Sequence, residues 1–129
     1  MSSKLPLSGI TVVEMTHNVM GPTCGLVLAD LGADVTRVEP IGGEAGRKAD
    51  GFARGFAYYF NRNKRSLCVD IKAPEGLDIV HSMLRDADVF VENFGPGALD
   101  RNGLGWEKVH AINSRLIYCA LKGFLPGPY

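Results

Sequence analysis

Residues 18–40, NVMGPTCGLVLADLGADVTRVEP, constrain this chain more than any other stretch. They read as a glycine-containing turn, a short apolar helix, a second turn and a strand that ends on an acid. A first strand at 10–15 (ITVVEM) precedes them, so the chain opens on one β-turn-α-β unit. Ile10, Val12, Val13 and Met15 leave little polar alternation, the pattern of parallel strands covered on both faces. Pro22 suits the first turn of a helix, where its missing N–H is no loss. Residues 24–31 are apolar on most sides (Leu26, Val27, Leu28, Leu31), which predicts a packed helix, and Gly32 is placed to stop it. Residues 35–39 make the second strand. Units of this kind leave a crevice beyond the carboxyl ends of the strands, where phosphate-bearing ligands lie.

The rest of the chain continues the alternation. Residues 41–55 hold five glycines among charges with no period and read as a mobile surface loop. FAYYF at 56–60 is an aromatic patch, either a short helix or a packed bend, and the basic run NRNKR follows at 61–65. Residues 66–71 are a third strand. Pro74 starts a helix through Asp86, with Leu77, Val80 and Leu84 on one stripe. A fourth strand at 88–92 is broken at Phe94-Gly95-Pro96-Gly97. Short helices at 98–102 and 106–113 lead to a last strand at 115–120, and the chain runs out through KGFLPGPY. Strands alternating with helices of about 10 residues predict an α/β, Rossmann-like, mostly parallel sheet with helices on both faces. A strand followed by a Gly/Pro-rich loop, where such folds normally enter another helix, reads as the front part of a longer polypeptide.

Composition narrows function by exclusion. A chain of 129 residues with 46% hydrophobic content can bury one core as a single domain, 1–129. Fourteen basic and fourteen acidic residues cancel, leaving no electrostatic footprint for nucleic acid or an anionic membrane. Apolar runs of five or six residues fall short of a membrane span, and MSSKLPLSG lacks the apolar region of a secretory signal, so the expected location is cytoplasmic. Cys24, Cys68 and Cys119 are odd in number and form no CxxC pair, which argues for reduced thiols and against zinc, any other metal centre or a disulfide framework. His17, His81 and His110 are scattered and read as structural. Lys64 and Arg65 read as a solvated basic face, with a phosphate contact as the alternative. Trp106 with Val109 and Ile112 reads as packing.

Five segments in order, PLSGITVVEMT, GP followed by LADLGADVTRVEP, NRNKRSLCVDIKAPEG, DVFVENFGPGALDRNGLGW and INSRLIYCALKGF, resemble the class III CoA-transferases, the formyl-CoA transferase and carnitine CoA-transferase family. The resemblance covers essentially the whole chain. Family members run to roughly three times this length, so it implies the N-terminal portion of a larger enzyme, a homodimer of interlocked rings. It also implies the reaction: CoA passes from an acyl-CoA to a small carboxylic acid. A catalytic aspartate attacks the thioester, giving a mixed anhydride and free CoA thiolate. The thiolate returns to form an aspartyl-CoA thioester, which the acceptor acid attacks. In similar proteins that aspartate lies beyond the GPY at 127–129, so no residue here is assigned as catalytic and this segment is expected to hold coenzyme A.

The same resemblance implies which residues do so. Val19 and Met20 match positions lining the nucleotide end of CoA, with core packing as the plain alternative for Met20. The position after Glu39 is basic in some relatives and is Pro40 here. Val69, Asp70, Ile71 and Lys72 match a segment beside the adenosine, Lys72 being either a phosphate contact or a solvated cation. Asn93, Phe94 and Gly95 match a stretch bordering the pantetheine arm. Arg101 matches a position that pairs with a CoA phosphate, which the guanidinium fork suits, its alternative being an exposed charge at a helix end.

Three other readings stand beside this one. An α-methylacyl-CoA racemase-like enzyme of the same superfamily shares the fold; glycine in place of Asn93 and absence of the NKRS run at 63–66 would mark it. A non-catalytic Rossmann-type module for NAD or another nucleotide would use Glu39, about 20 residues past Gly21, on a ribose. Against that, NVMGPTCG is not GxGxxG and Pro22 removes an N–H from the helix start. The last is a segment with no activity of its own that serves in assembly.

Overall fold

The computed structural model describes residues 4–123. Five strands run through it: β1 (Thr11–Met15), β2 (Asp34–Glu39), β3 (Arg65–Cys68), β4 (Val89–Glu92) and β5 (Ile117–Ala120). Helix α1 (Met20–Asp30) follows β1, α2 (Ala45–Lys48) and α3 (Phe52–Phe60) follow β2, and α4 (Pro74–Asp86) follows β3. The short helices α5 (Ala98–Arg101) and α6 (Trp106–Ile112) connect β4 to β5. Every strand pairing is parallel, in the order β3-β2-β1-β4-β5. The chain is thus α/β with a Rossmann-like sheet. It builds outward from β1 to β3, then returns through α4 to lay β4 on the other side of β1. The order reverses between β1 and β4, which is where such sheets open a crevice.

Alternation along each strand divides the core in two. Val13, Met15, Val38 and Phe90 point to α4 and α6, where Val80, Leu84, Leu104 and Val109 complete an apolar cluster. Val12, Val35 and Val91 point the other way, onto Cys24, Leu28 and Ala29 of α1. Helix α4 has the boundaries that Pro74 and the Leu77–Val80–Leu84 stripe predict, with Val80 and Leu84 fully buried. Gly32 ends α1 in the left-handed region (φ 101°), its N–H bonded to the Ala29 carbonyl and that of Ala33 to the Leu28 carbonyl.

Several sequence expectations are corrected. Residues 41–55 are not an irregular surface loop: they contain α2 and the start of α3, and Glu44 and Arg47 form ion pairs with the buried Arg37 and Glu39. Of the two readings of the aromatic patch the helical one holds, within α3, which starts at Phe52 and carries a Phe52–Phe56–Phe60 ladder with ring centroids 4.9 and 5.7 Å apart. Helix α1 starts a turn earlier than Cys24 and is not packed all round, since Met20, Val27 and Leu31 are exposed. Strand β3 ends at Cys68 because the Asp70 carboxylate accepts the Lys72 N–H (2.9 Å) and turns the chain towards α4. Lys64 is not a solvated cation; its ammonium is buried against Glu14. Of the terminal KGFLPGPY, residues 124–129 lie outside the described part. Among the described residues no helix is long and apolar enough to cross a membrane.

Candidate functional site

Strands β1 and β2 place Glu14 and Arg37 directly opposite each other on the α1 face. Both are almost completely buried, as is Glu39 two residues on. Such burial is tolerable only where each charge finds partners. Glu14 Oε2 lies 2.7 Å from Lys64 Nζ and Oε1 accepts the Thr16 hydroxyl at 2.5 Å. Arg37 Nη1 lies 3.5 Å from Glu14 Oε1 and also donates to Asn61 Oδ1. Its Nη2 donates to the Thr16 carbonyl (3.0 Å) and to Glu44 Oε2 (2.5 Å). Helix α1 crosses this cluster at Gly25, where a Cβ would sit 1.7 Å from Glu14 Oε2. Burial pulls the Lys64 ammonium below its ordinary range, against the opposing pull of Glu14.

Glu39 is held at both oxygens. Arg47 grips it in a fork (2.7 and 2.5 Å), Ser66 Oγ donates to Oε1 at 2.9 Å and the Glu44 N–H to Oε2 at 3.0 Å. The Arg47 guanidinium is the main reason the Glu39 carboxyl is held down at about 2; the Glu44 and Ser66 donors add to it and burial opposes it.

Above this charged floor, at the carboxyl ends of β1, β2 and β3, lies a cavity of about 570 Å³. Its walls are Met15, Thr16 and His17 at the end of β1, residues 37–41 with Glu44 and Ala45 at and beyond the end of β2, Val69–Lys72 after β3, Phe94 after β4 and Asn102 after α5. The mix of apolar walls and a few fixed polar groups is that of a small-molecule site. His17 meets Phe94 edge-on at 5.2 Å. A second, open cavity of about 300 Å³ lies on the other side of Glu44 and Ala45, lined also by Asn18, Val19, Ala49 and Phe56.

The structure gathers part of the expected residue set. Val69, Asp70, Ile71, Lys72 and Phe94 line the larger cavity, and Val19 the smaller. Met20, Asn93, Gly95 and Arg101 are in neither lining. Asn93 instead clamps the His17 backbone, Oδ1 accepting its N–H and Nδ2 donating to its carbonyl, both at 2.9 Å. Arg101 is exposed at the end of α5, and Asn102 beside it reaches the cavity. Sequence reasoning missed Thr16, His17, Arg37, Glu44, Ala45 and Asn102 as lining residues. The available signal was the charge Glu14 in the otherwise apolar run ITVVEM, together with Arg37 and Glu39 alternating with Val35 and Val38 in DVTRVE. His81 and His110 are placed structurally, the former bonding the Gly103 carbonyl at 2.8 Å and the latter stacking on Trp106. Trp106 also packs edge-on to Tyr118, though it remains half-exposed. Among the described residues no group of three or more His, Cys, Asp or Glu is arranged to hold a metal ion.

Comparison with known proteins gives this geometry a context. The family described as "CoA-transferase family III" matches residues 7–129. The chain is 46% identical over 128 residues to a formyl-CoA:oxalate CoA-transferase of Rhodopseudomonas palustris, covering 95% of this chain and 30% of that protein. It is 45% identical over 138 residues to a succinate–glutarate CoA-transferase of Agrobacterium fabrum, covering 98% and 34%. The crystal structure of a CAIB/BAIF family protein from Brucella suis superposes with a TM-score of 0.89 at 40% identity, covering 98% of this chain and 36% of that one. The chain therefore spans about a third of the length of the relatives it matches.

Proposed function

Because this chain belongs to CoA-transferase family III, we propose that residues 1–129 supply the CoA-binding surface of an enzyme that moves CoA from an acyl-CoA to a small carboxylate. The reacting aspartate is supplied by polypeptide outside these residues. Its carboxylate attacks the thioester carbonyl and the C–S bond breaks, leaving an aspartyl–acyl anhydride and CoA thiolate. The thiolate then attacks the aspartyl carbonyl, expelling the donor carboxylate and leaving aspartyl-CoA for the acceptor to attack. Binding energy from the CoA body, remote from the reacting carbonyl, is what holds these partners in place between steps. In this reading the working assembly is a homodimer and the location cytoplasmic.

The observation that carries the proposal is the cavity at the ends of β1–β3, bordered by the Val69–Lys72 strand end and by Phe94. Those are the positions that the family resemblance assigns to adenosine and pantetheine. Val69 and Ile71 offer an apolar strip for the adenine, and Lys72 is a cation at the rim for a phosphate. The NAD reading is disfavoured by Glu39, whose two oxygens are already occupied by Arg47, Ser66 and the Glu44 amide and so are not free for a ribose.

Calorimetric titration with acetyl-CoA and, separately, with NAD tests the proposal. Heat with acetyl-CoA and none with NAD is the expected result. No heat with acetyl-CoA, or tighter binding of NAD, sinks it.

A further inference from the structure

Resting on the CoA-cradle reading above, we propose that Glu44 is a positioning residue whose carboxylate locks residues 40–51 onto the turn at 16–18, so that the two walls of the ligand cavity form together. Successive backbone groups of that turn are each held by a side chain from elsewhere. Arg37 Nη2 donates to the Thr16 carbonyl, Asn93 holds both backbone groups of His17, and Glu44 Oε1 accepts the Asn18 N–H at 3.0 Å. Asn18 sits in the left-handed region (φ 62°), a conformation that persists in a non-glycine residue where its surroundings fix it.

The other oxygen of Glu44 binds Arg37, and its own N–H is donated to Glu39. One side chain thus joins the segment 40–51 to both the buried charge cluster and the turn. The segment's other side-chain anchor to the strands is the Arg47 fork on Glu39, which does not reach the turn. None of the α2 residues is buried, and left-handed glycines stand at both ends, Gly42 and Gly43 (φ 85° and 81°) and Gly51 (φ 59°). Pro40, Ile41 and Ala45 form one wall of the larger cavity while Thr16 and His17 form the facing one. A ligand seated between them feels the Glu44 link as preorganisation of both walls, without needing to touch the carboxylate.

The test pairs two variants with two readouts, acetyl-CoA affinity by calorimetry and amide exchange at Asn18 by nuclear magnetic resonance. Glu44→Ala removes the acceptor and is expected to weaken acetyl-CoA binding about tenfold and to speed Asn18 exchange about tenfold. Exchange at Val13 and Val91, in the strand interiors, reports any fall in global stability, and the Asn18 effect is read against it. Glu44→Gln keeps one acceptor oxygen for the Asn18 amide but turns its NH2 onto the Arg37 guanidinium, so it is expected to fall between the native protein and Glu44→Ala on both readouts. The inference is overturned if Glu44→Ala binds acetyl-CoA within about twofold of the native protein. It is equally overturned if Asn18 exchange does not change in Glu44→Ala, or if acetyl-CoA affinity falls in either variant without faster Asn18 exchange, which would separate binding from the positioning of the turn. Failure of the native protein to bind acetyl-CoA at all is a different result and removes the reading beneath it.

Discussion

On the face covered by α4 and α6 the strands present Val13, Met15, Val38 and Phe90, packed on Val80, Leu84 and Val109. Charge enters there at the strand tip, where Glu92 meets Lys122 (2.5 Å) and the Phe94 N–H (2.8 Å). Under α1 the same strands begin alike, with Val12, Val35 and Val91. They then place Glu14, Arg37 and Glu39 towards their carboxyl ends, none more than 2% exposed. The difference teaches where this fold can absorb change. Apolar burial is non-directional, so a lost methyl group is a local matter. A buried ion has directional partners, and two of those partners, Thr16 and Glu44, line the cavity. The face under α1 therefore meets the cavity through directional bonds, whereas the face under α4 meets it through apolar side chains such as Met15, Val38 and Val69.

Lys64→Met strikes the charged face hardest. It leaves Glu14 Oε2 buried without the ammonium that lies 2.7 Å from it. Removing one partner of a buried pair costs about 3–5 kcal/mol, read as a drop in the urea midpoint. A loss under about 1 kcal/mol, the level of an exposed pair, would erase the contrast between the faces. On the apolar face, Leu84→Ala opens a cavity beneath a fully buried side chain and is expected to lose about 3 kcal/mol. Its acetyl-CoA affinity, measured well below the unfolding midpoint, should match the native value. A parallel loss of affinity would mean that the two faces are not independent.

These two faces were not equally legible in the sequence. The apolar one was: the nearly unbroken apolar run in ITVVEM marks a strand covered on both faces, and the Leu77–Val80–Leu84 stripe with Pro74 marks the buried face and extent of α4. The charged one was not, because periodicity reports burial of apolar groups and has no way to pair Glu14 with Arg37 and Lys64 across three separate segments. Glycine density made 41–55 look unstructured, since the bonds that order it run from Glu44 and Arg47 to strands elsewhere. Five of the site positions suggested by resemblance do line the larger cavity, because a strand end and the residue after β4 are placed by backbone topology alone. Asn93 and Arg101 depend on where a side chain turns, and the structure sends Asn93 to the His17 backbone instead.

Acid titration sharpens the comparison further. The Glu39 carboxyl is held at about 2 against an ordinary 4.5, chiefly by Arg47. Its folded-state value lies below the unfolded one, so its contribution is complete above pH 4.5 and is lost as pH falls towards 2. The expected loss is on the order of 1–2 kcal/mol across that window. Urea midpoints of the native protein and of Arg47→Gln, compared at intervals from neutral to acid pH, isolate it. The native curve should fall more steeply in this window, and identical slopes would show that the Arg47 fork contributes nothing to the charged face.

The smallest effect concerns a charge outside the buried cluster. Lys72 lines the cavity yet is exposed, and the bond that fixes its turn comes from its backbone N–H to Asp70. An exposed cation facing a phosphate is worth about 0.2–1 kcal/mol, so Lys72→Ala should weaken acetyl-CoA binding by about threefold at low salt. Screening should remove most of that difference at about 1 M salt, where the Debye length is near 3 Å. Stability should stay within about 0.5 kcal/mol of the native protein, since no partner is left buried and unpaired. A loss of affinity above about tenfold that survives high salt would move Lys72 into the desolvated class of Lys64. The coupling between charge and ligand would then reach from the floor under α1 to the rim of the cavity.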